Sequence, residues 1–157
     1  MRMGVYKEAS ERTVVGVSKR HVDDFVFVSE SMFLKGKGLK GYVLFANKTF
    51  EKGRIIIEYV GKLLTDRQAE TKKRYKQYMF DVKSNGKVIF VIDGANSKYA
   101  SAAKFVNTTE IFFDKHRNAE FVQYNQKIYL KASSKIKEGD EIIAFYGPDT
   151  HKIINRL

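Results

Sequence analysis

The chain has 157 residues, 43% of them hydrophobic, no cysteine, and a formal net charge of +11. That length suits one domain whose core needs no staples. The missing cysteines exclude disulfides, zinc–thiolate clusters and thiol nucleophiles, and fit a reducing, intracellular setting, nucleus or cytoplasm. No apolar run approaches membrane-spanning length, residues 1–15 lack the apolar core of a secretory signal, and no membrane partner is expected. The excess of Lys and Arg favours polyanionic neighbours, weak non-specific nucleic acid contact among them.

In chain order, residues 1–20 are polar and aperiodic, either a helix or a partly ordered arm. An Asp23-Asp24 turn precedes a first strand at 25–28. Residues 35–41, KGKGLKG, form a basic glycine-rich loop, but the GK-Ser/Thr half of a phosphate-binding loop is missing and no helix follows. Residues 42–61, YVLFANKTFEKGRIIIEYVG, read as strand, charged turn, strand, aromatic, glycine. About 86 positions later, residues 128–147, IYLKASSKIKEGDEIIAFYG, repeat that plan. Leu44, Ala46, Gly53, Ile56, Ile57 and Gly61 recur as Leu130, Ala132, Gly139, Ile142, Ile143 and Gly147.

Between the copies, Thr65 and Gln68 have capping-box spacing and open a mostly polar surface helix to about Tyr78, with Ala69, Tyr75 and Tyr78 facing inward. Segments 79–82 and 88–92 flank Ser84-Asn85-Gly86, a strong hairpin signal, and Asp93-Gly94 turns the chain again. Residues 96–105 are alanine-rich, and Tyr99, Ala102, Ala103 and Val106 can share a face of a short helix that delivers Asn107. An irregular loop is expected over 108–117, carrying Phe112 and Phe113. Segments 121–124 and 128–132 flank Asn125-Gln126 as a further hairpin. Pro148 stops the last strand. Several short strands and few helices give a β-rich α+β domain.

Most familiar chemistries are excluded. His21, His116 and His151 are far apart, without metal-ligand spacing, and no metal is expected. No nucleophile elbow, Walker motif or dinucleotide fingerprint occurs. The carboxylate pairs Asp23-Asp24 and Asp140-Glu141 fall in turns, as solvated charge does. What remains unusual is twelve Phe and nine Tyr without a Trp. Most belong to the core, and a few at strand ends are able to line a channel.

Motif order then carries a resemblance. Gly41-Tyr42-Val43-Leu44-Phe45-Ala46 and Glu58-Tyr59-Val60-Gly61 resemble the Gly-x-Gly-Leu-Phe-Ala strand and Glu-Tyr-x-Gly step that open a SET domain, the fold of protein lysine methyltransferases. Gln77 to Asp81 resembles the family's Tyr-x-Phe-Asp strand, and Val91-Ile92-Asp93-Gly94 its Val-Asp-Ala strand. Ala103-Lys104-Phe105-Val106-Asn107 resembles Ala-Arg-Phe-Ile-Asn, Asn118-Ala119 resembles the Pro-Asn-Ala/Cys step, and 139–147 resembles the closing Gly-Glu-Glu-Leu-x-x-x-Tyr-Gly. The chain departs from the pattern at Val43 (Gly), Thr108 (His), Lys104 (Arg) and Ala144 (an aromatic), with about five extra residues before Asn118 and no flanking zinc-binding cysteines.

The resemblance implies a SET-like domain over 25–148, flanked by an arm at 1–24 and a tail at 149–157. It implies S-adenosylmethionine as cofactor and a protein lysine as substrate, with a histone tail as one candidate. Tyr146 is the implied catalytic hydroxyl; Tyr59, Phe121 and Tyr124 are the implied channel; Gly41, Tyr42, Val43, Asn107 and Thr108 are the implied cofactor residues. At the repeat offset Tyr59 aligns with Phe145, so Tyr59 and Tyr146 face opposite ways along their strands and have different roles. Two other readings stay open: an inactive SET-like module that binds a protein or chromatin partner, and a basic nucleic-acid-binding protein.

Overall fold

The computed structural model describes residues 12–14, 17–19, 23–30, 41–73, 78–95, 100–109 and 115–145. Strands β1 (Arg12–Val14) and β2 (Val17–Lys19) pair antiparallel, so this part of the arm is a strand pair and not a helix. At the next turn Asp23 Oδ1 accepts from the N–H groups of Phe25 and Val26 (2.6 and 2.7 Å). The chain then enters β3 (Val26–Glu30), which pairs antiparallel with β4 (Tyr42–Ala46).

Further on come β5 (Ile55–Tyr59) and β6 (Lys62–Leu64). Helix α1 (Asp66–Thr71) opens on the expected capping box, with Thr65 Oγ1 accepting from Gln68 N–H and Gln68 Oε1 from Thr65 N–H. It ends at Thr71, a full turn and more short of Tyr78. Only Ala69 is buried on it, so no apolar stripe extends it, and Lys72 is extended and tied to Asp93 instead (Nζ–Oδ2, 3.0 Å).

Strands β7 (Met79–Ser84) and β8 (Lys87–Asp93) form the expected hairpin, with Asn85 and Gly86 at φ 52° and 78°. Of the helix expected at 96–105, residues 96–99 lie outside the described residues, and Ala102–Phe105 form a 3₁₀ turn. Ala102 and Ala103 are fully buried, and small side chains let this turn lie against β4 and β5. Residues 107–109, read in part as loop, are a strand, β9 (Asn107–Thr109). Strands β10 (Ala119–Tyr124) and β11 (Lys127–Ala132) turn at Asn125 (φ 54°), and β12 (Ile143–Phe145) is the last described strand.

A five-stranded sheet runs β5-β11-β10-β12-β9, and a three-stranded sheet runs β6-β8-β7. Strand β12 inserts between β9 and β10, parallel to both. The fold is therefore β-rich α+β, in several small sheets. One core gathers residues from nearly every element, including Leu44, Ile57, Phe80, Leu130, Ile136 and Ile142. A second, smaller cluster holds Phe27, Val43 and Phe45.

The repeated units are structurally equivalent, and they pair with each other instead of closing on themselves. Phe50 and Ile136, equivalent positions, exchange both backbone hydrogen bonds (2.8 and 2.9 Å). Gly53 N–H donates to Ala132 O and, reciprocally, Gly139 N–H to Ala46 O, both at 2.8 Å. Ala46 N–H donates to Asp140 O, and Ala132 N–H to Arg54 O, both at 2.9 Å. Gly53 and Gly139 share φ 91°, a conformation that favours glycine. The first strand of each unit thus pairs with the second half of the other, an approximate two-fold arrangement.

Candidate functional site

Where the two units meet, three aromatic rings pack. Tyr59, the last residue of β5, is 3% exposed, and its hydroxyl donates to Tyr78 O at 2.6 Å. Its ring centroid lies 4.5 Å from Phe80 and 5.9 Å from Phe121, the latter edge-on, with Phe80 and Phe121 4.5 Å apart. These are favourable aromatic separations and orientations. Gly94 packs directly on the Tyr59 ring, where a Cβ would lie 2.8 Å from Cζ. Gly61 packs as tightly on the backbone of Asp93 and Gly94.

The segment that carries Asn107 is pinned to the end of β5 by a residue that sequence reasoning did not single out. Ser101 is fully buried; its Oγ donates to Glu58 O (2.7 Å) and accepts from Val60 N–H (3.2 Å), while its own N–H donates to Val60 O (3.2 Å). Asn107 and Thr108 follow in β9, partly buried, with Asn107 Oδ1 accepting from Thr108 N–H (3.0 Å). Across β12, Asn107 pairs with Ile143 and Thr108 with Ala144. On the other side of the same segment, Ile142 N–H donates to Leu44 O in β4 (2.9 Å). Residues 141–143 therefore separate the Asn107-Thr108 strand from the strand that starts at Tyr42.

Asn118 ties this segment down, and it too was not among the expected site residues. Its Nδ2 donates to Glu141 O (2.9 Å), its Oδ1 accepts from Ile143 N–H (2.8 Å), and its N–H donates to Ile143 O (3.0 Å). The neighbouring Arg117 binds Glu120 (2.9 Å) and lays its guanidinium 4.8 Å from the Phe145 ring centroid. The motif step Asn118-Ala119 was the available signal; the pairing partner, 23 to 25 residues downstream, left none.

Other expected site residues are more dispersed. Gly41 is partly exposed and Tyr42 is 47% exposed. Val43 is buried, its side chain filling the cluster with the stacked rings of Phe27 and Phe45 (5.1 Å). Tyr124 is not with Tyr59 and Phe121. Three residues beyond Phe121 in β10, it faces the other side of the sheet at an exposed turn, against Tyr129 (5.9 Å) and Lys131. Tyr146 lies outside the described residues, as do Tyr75, Tyr99, Phe112, Phe113, Gly147, Pro148, the basic loop at 35–40 and the tail at 149–157.

Lys104, which occupies the place of the family's arginine, donates from Nζ to Ala95 O (2.8 Å) and lies over the rings of Tyr78 (5.3 Å) and Phe105 (5.7 Å). Burial pushes its pKa below the ordinary lysine value, against the opposing pull of Asp93. Lys104 thus braces Tyr78, whose carbonyl holds the Tyr59 hydroxyl.

Comparison with known proteins decides the family. The SET domain model matches residues 41–147, which include both units and everything between them. The chain belongs to the SET domain family. This SET domain is 28% identical over 134 residues to the histone-lysine N-methyltransferase mes-4 of Caenorhabditis elegans, covering 76% of this chain and 14% of that protein. It is 24% identical over 124 residues to the histone-lysine N-methyltransferase EZH2 of Chaetomium thermophilum, covering 74% and 8%. The chain thus spans about a seventh or less of these relatives' lengths. Its fold is that of the methyltransferase domain of human PR domain-containing protein 2 (TM-score 0.61, 21% identity, 80% of this chain and 79% of that one). It is also that of ATXR5, solved in complex with histone H3.1 mono-methylated on R26 (TM-score 0.59, 16% identity, 76% and 55%).

Proposed function

We propose that this SET domain is an S-adenosylmethionine-dependent protein-lysine N-methyltransferase, with a histone tail as the first substrate to try. The observation that carries this reading is family membership across 41–147, a span that holds Gly41, Tyr42, Tyr59, Asn107, Phe121 and Tyr146. S-adenosylmethionine, when bound, supplies a methyl group on a sulfonium sulfur. The chain fits such a cofactor on one specific point. Val43, standing where the family has glycine, turns its side chain into the Phe27–Phe45 cluster, so the backbone at Gly41 and Tyr42 is not covered by it. Asn107 has its Oδ1 engaged by Thr108 and presents Nδ2 donors suited to a carboxylate.

For the lysine, Tyr59 and Phe121 form an apolar wall that disfavours the charged ammonium and so favours the neutral amine needed for attack. The Tyr59 hydroxyl is committed to Tyr78 O, which leaves it a wall and not the reacting group. That role goes to Tyr146, which follows Phe145 and therefore the strand pinned by Asn118. Its hydroxyl would orient amine and methyl for in-line displacement, alignment worth several kcal/mol, with the amine proton leaving to water.

Incubation with labelled S-adenosylmethionine and a panel of histones and peptides should label lysine, and calorimetry should register cofactor binding. Absence of both refutes the reading; peptide binding without cofactor binding favours the inactive module. Tyr146→Phe should lower kcat by about 10²-fold or more while the protein stays folded. An unchanged rate removes Tyr146 from the mechanism.

A further inference from the structure

The turns of the β7–β8 and β10–β11 hairpins, which play no part in the site above, are held side by side by one side chain. Gln123 Oε1 accepts from Lys83 N–H (3.0 Å), while Nε2 donates to Lys83 O (2.7 Å) and Asn125 O (2.5 Å). Residues 84–87 and 123–127 are all exposed. The segments 83–88 and 121–131 contain Lys83, Lys87, Lys127 and Lys131 and no Asp or Glu. Two carboxylates lie farther up the paired strands: Glu120, opposite Lys131 and held by Arg117, and Glu58, opposite Tyr129. The uncompensated charge is therefore greatest at the turns themselves.

We propose that this clamped pair of turns is a docking surface for duplex DNA, with Lys83, Lys87 and Lys127 contacting phosphates. Cations clustered on two turns that themselves carry no carboxylate match a polyanionic backbone. The side-chain amides of Asn85 and Gln126 add neutral donors of the kind that also bind phosphate oxygens. Among the described residues, the exposed aromatic nearby does not favour single strands: Tyr124 is packed on Tyr129, and its hydroxyl accepts from Lys131 Nζ (3.1 Å), so its ring is not held out for base stacking. Exposed turns suit a duplex surface or groove, whereas an extended acidic peptide is better held by a sheet edge or a concavity.

The test is fluorescence anisotropy with a labelled random-sequence DNA duplex of about 20 bp across 50–200 mM salt, on the whole chain. Neutralising three phosphates contributes about −2.7 to the slope of log K against log salt. Lys83→Gln/Lys87→Gln/Lys127→Gln should remove that much slope and lower affinity about 10-fold or more at 100 mM salt. The charge-matched variant Lys52→Gln/Lys135→Gln/Lys137→Gln should lose less than about 2-fold. Equal losses would reduce the effect to diffuse charge and overturn the proposal. Gln123→Ala keeps every charge but frees the turns, and should weaken binding about 3-fold with an unchanged circular dichroism spectrum; full affinity overturns the paired-turn geometry. Binding of a polyglutamate peptide in place of the duplex assigns the surface to an acidic protein and overturns it as well. Methyl transfer is not read in any arm, so the outcome is independent of the lysine methyltransferase reading.

Discussion

Gly94 allows no side chain because the Tyr59 ring that faces it cannot withdraw. The ring is wedged between Phe80 and Phe121, and its hydroxyl is fixed on Tyr78 O. The φ of Gly94 is not positive, so the restriction is steric and not conformational. Gly94→Ala should cost about 1–3 kcal/mol, read as a lower urea midpoint. A midpoint within error of the parent would mean that the ring can move. Asp23 is a second constraint at this scale. Burial pushes its carboxyl above the ordinary value of 3.8, more than its hydrogen bonds from Val26 and Phe25 pull it down. The native state then holds the proton to higher pH than the unfolded chain does. Its contribution is greatest below the unfolded value and is lost as pH rises through the native one. Asn at this position retains the turn acceptor but cannot titrate. The stability difference between the parent and Asp23→Asn should therefore shift in the parent's favour as pH falls from 7 to 3; a flat difference contradicts it. Neither effect was legible in the sequence, where Asp23 reads as a solvated turn residue and Gly94 as a turn glycine. Burial and a ring 35 residues away are facts of packing.

Among the elements, β12 depends most on a single partner residue. Asn118→Ala would strip Glu141 O and Ile143 N–H of side-chain partners in a mostly buried setting, costing about 1–3 kcal/mol. The accompanying loss should be local: hydrogen exchange at Ile143 should speed up more than at Val91 in the β7–β8 hairpin. Uniform acceleration would place Asn118's effect on the whole fold instead. The hairpins were legible because their information is local: Asn85-Gly86 and Asn125 supply the positive φ that tight turns need. Helix α1 was legible only at its start. The capping box of α1 is a four-residue signal, but its end depends on Lys72 reaching Asp93, across 21 residues. Residues 102–105 were drawn out of a regular helix by the need to fit Ser101 against β5, and β9 exists because β12 pairs with it. The candidate site divides in the same way. Tyr59 and Phe121 pack together, whereas Tyr124 lies on the opposite face of β10, a direction that only alternation counted from Phe121 reveals.

For the whole molecule, the two units make a quantitative expectation possible. Gly53 and Gly139 occupy equivalent turns with the same φ of 91°, and neither has an atom within 4 Å of a prospective Cβ. Gly53→Ala and Gly139→Ala should thus cost the same, about 1 kcal/mol each from backbone strain alone, in equilibrium unfolding. Costs differing by more than about 1 kcal/mol would show that the equivalence is one of shape and not of energetics. The repeat itself was readable from Leu, Ala, Ile and Gly punctuation, but the exchange of strands was not, because a strand's pattern records which face is buried and not which neighbour supplies its hydrogen bonds. That exchange bears on how the protein is made. On a ribosome, β5 emerges well before its partner: Tyr59 pairs with Ile128, 69 residues further along the chain. At about 5–20 residues per second the wait is about 3–14 s. During it the first unit presents an unpaired apolar edge, the kind that other nascent chains readily join. Newly made protein should consequently be most vulnerable to aggregation, and most in need of chaperone cover, in the interval before the second unit clears the exit tunnel.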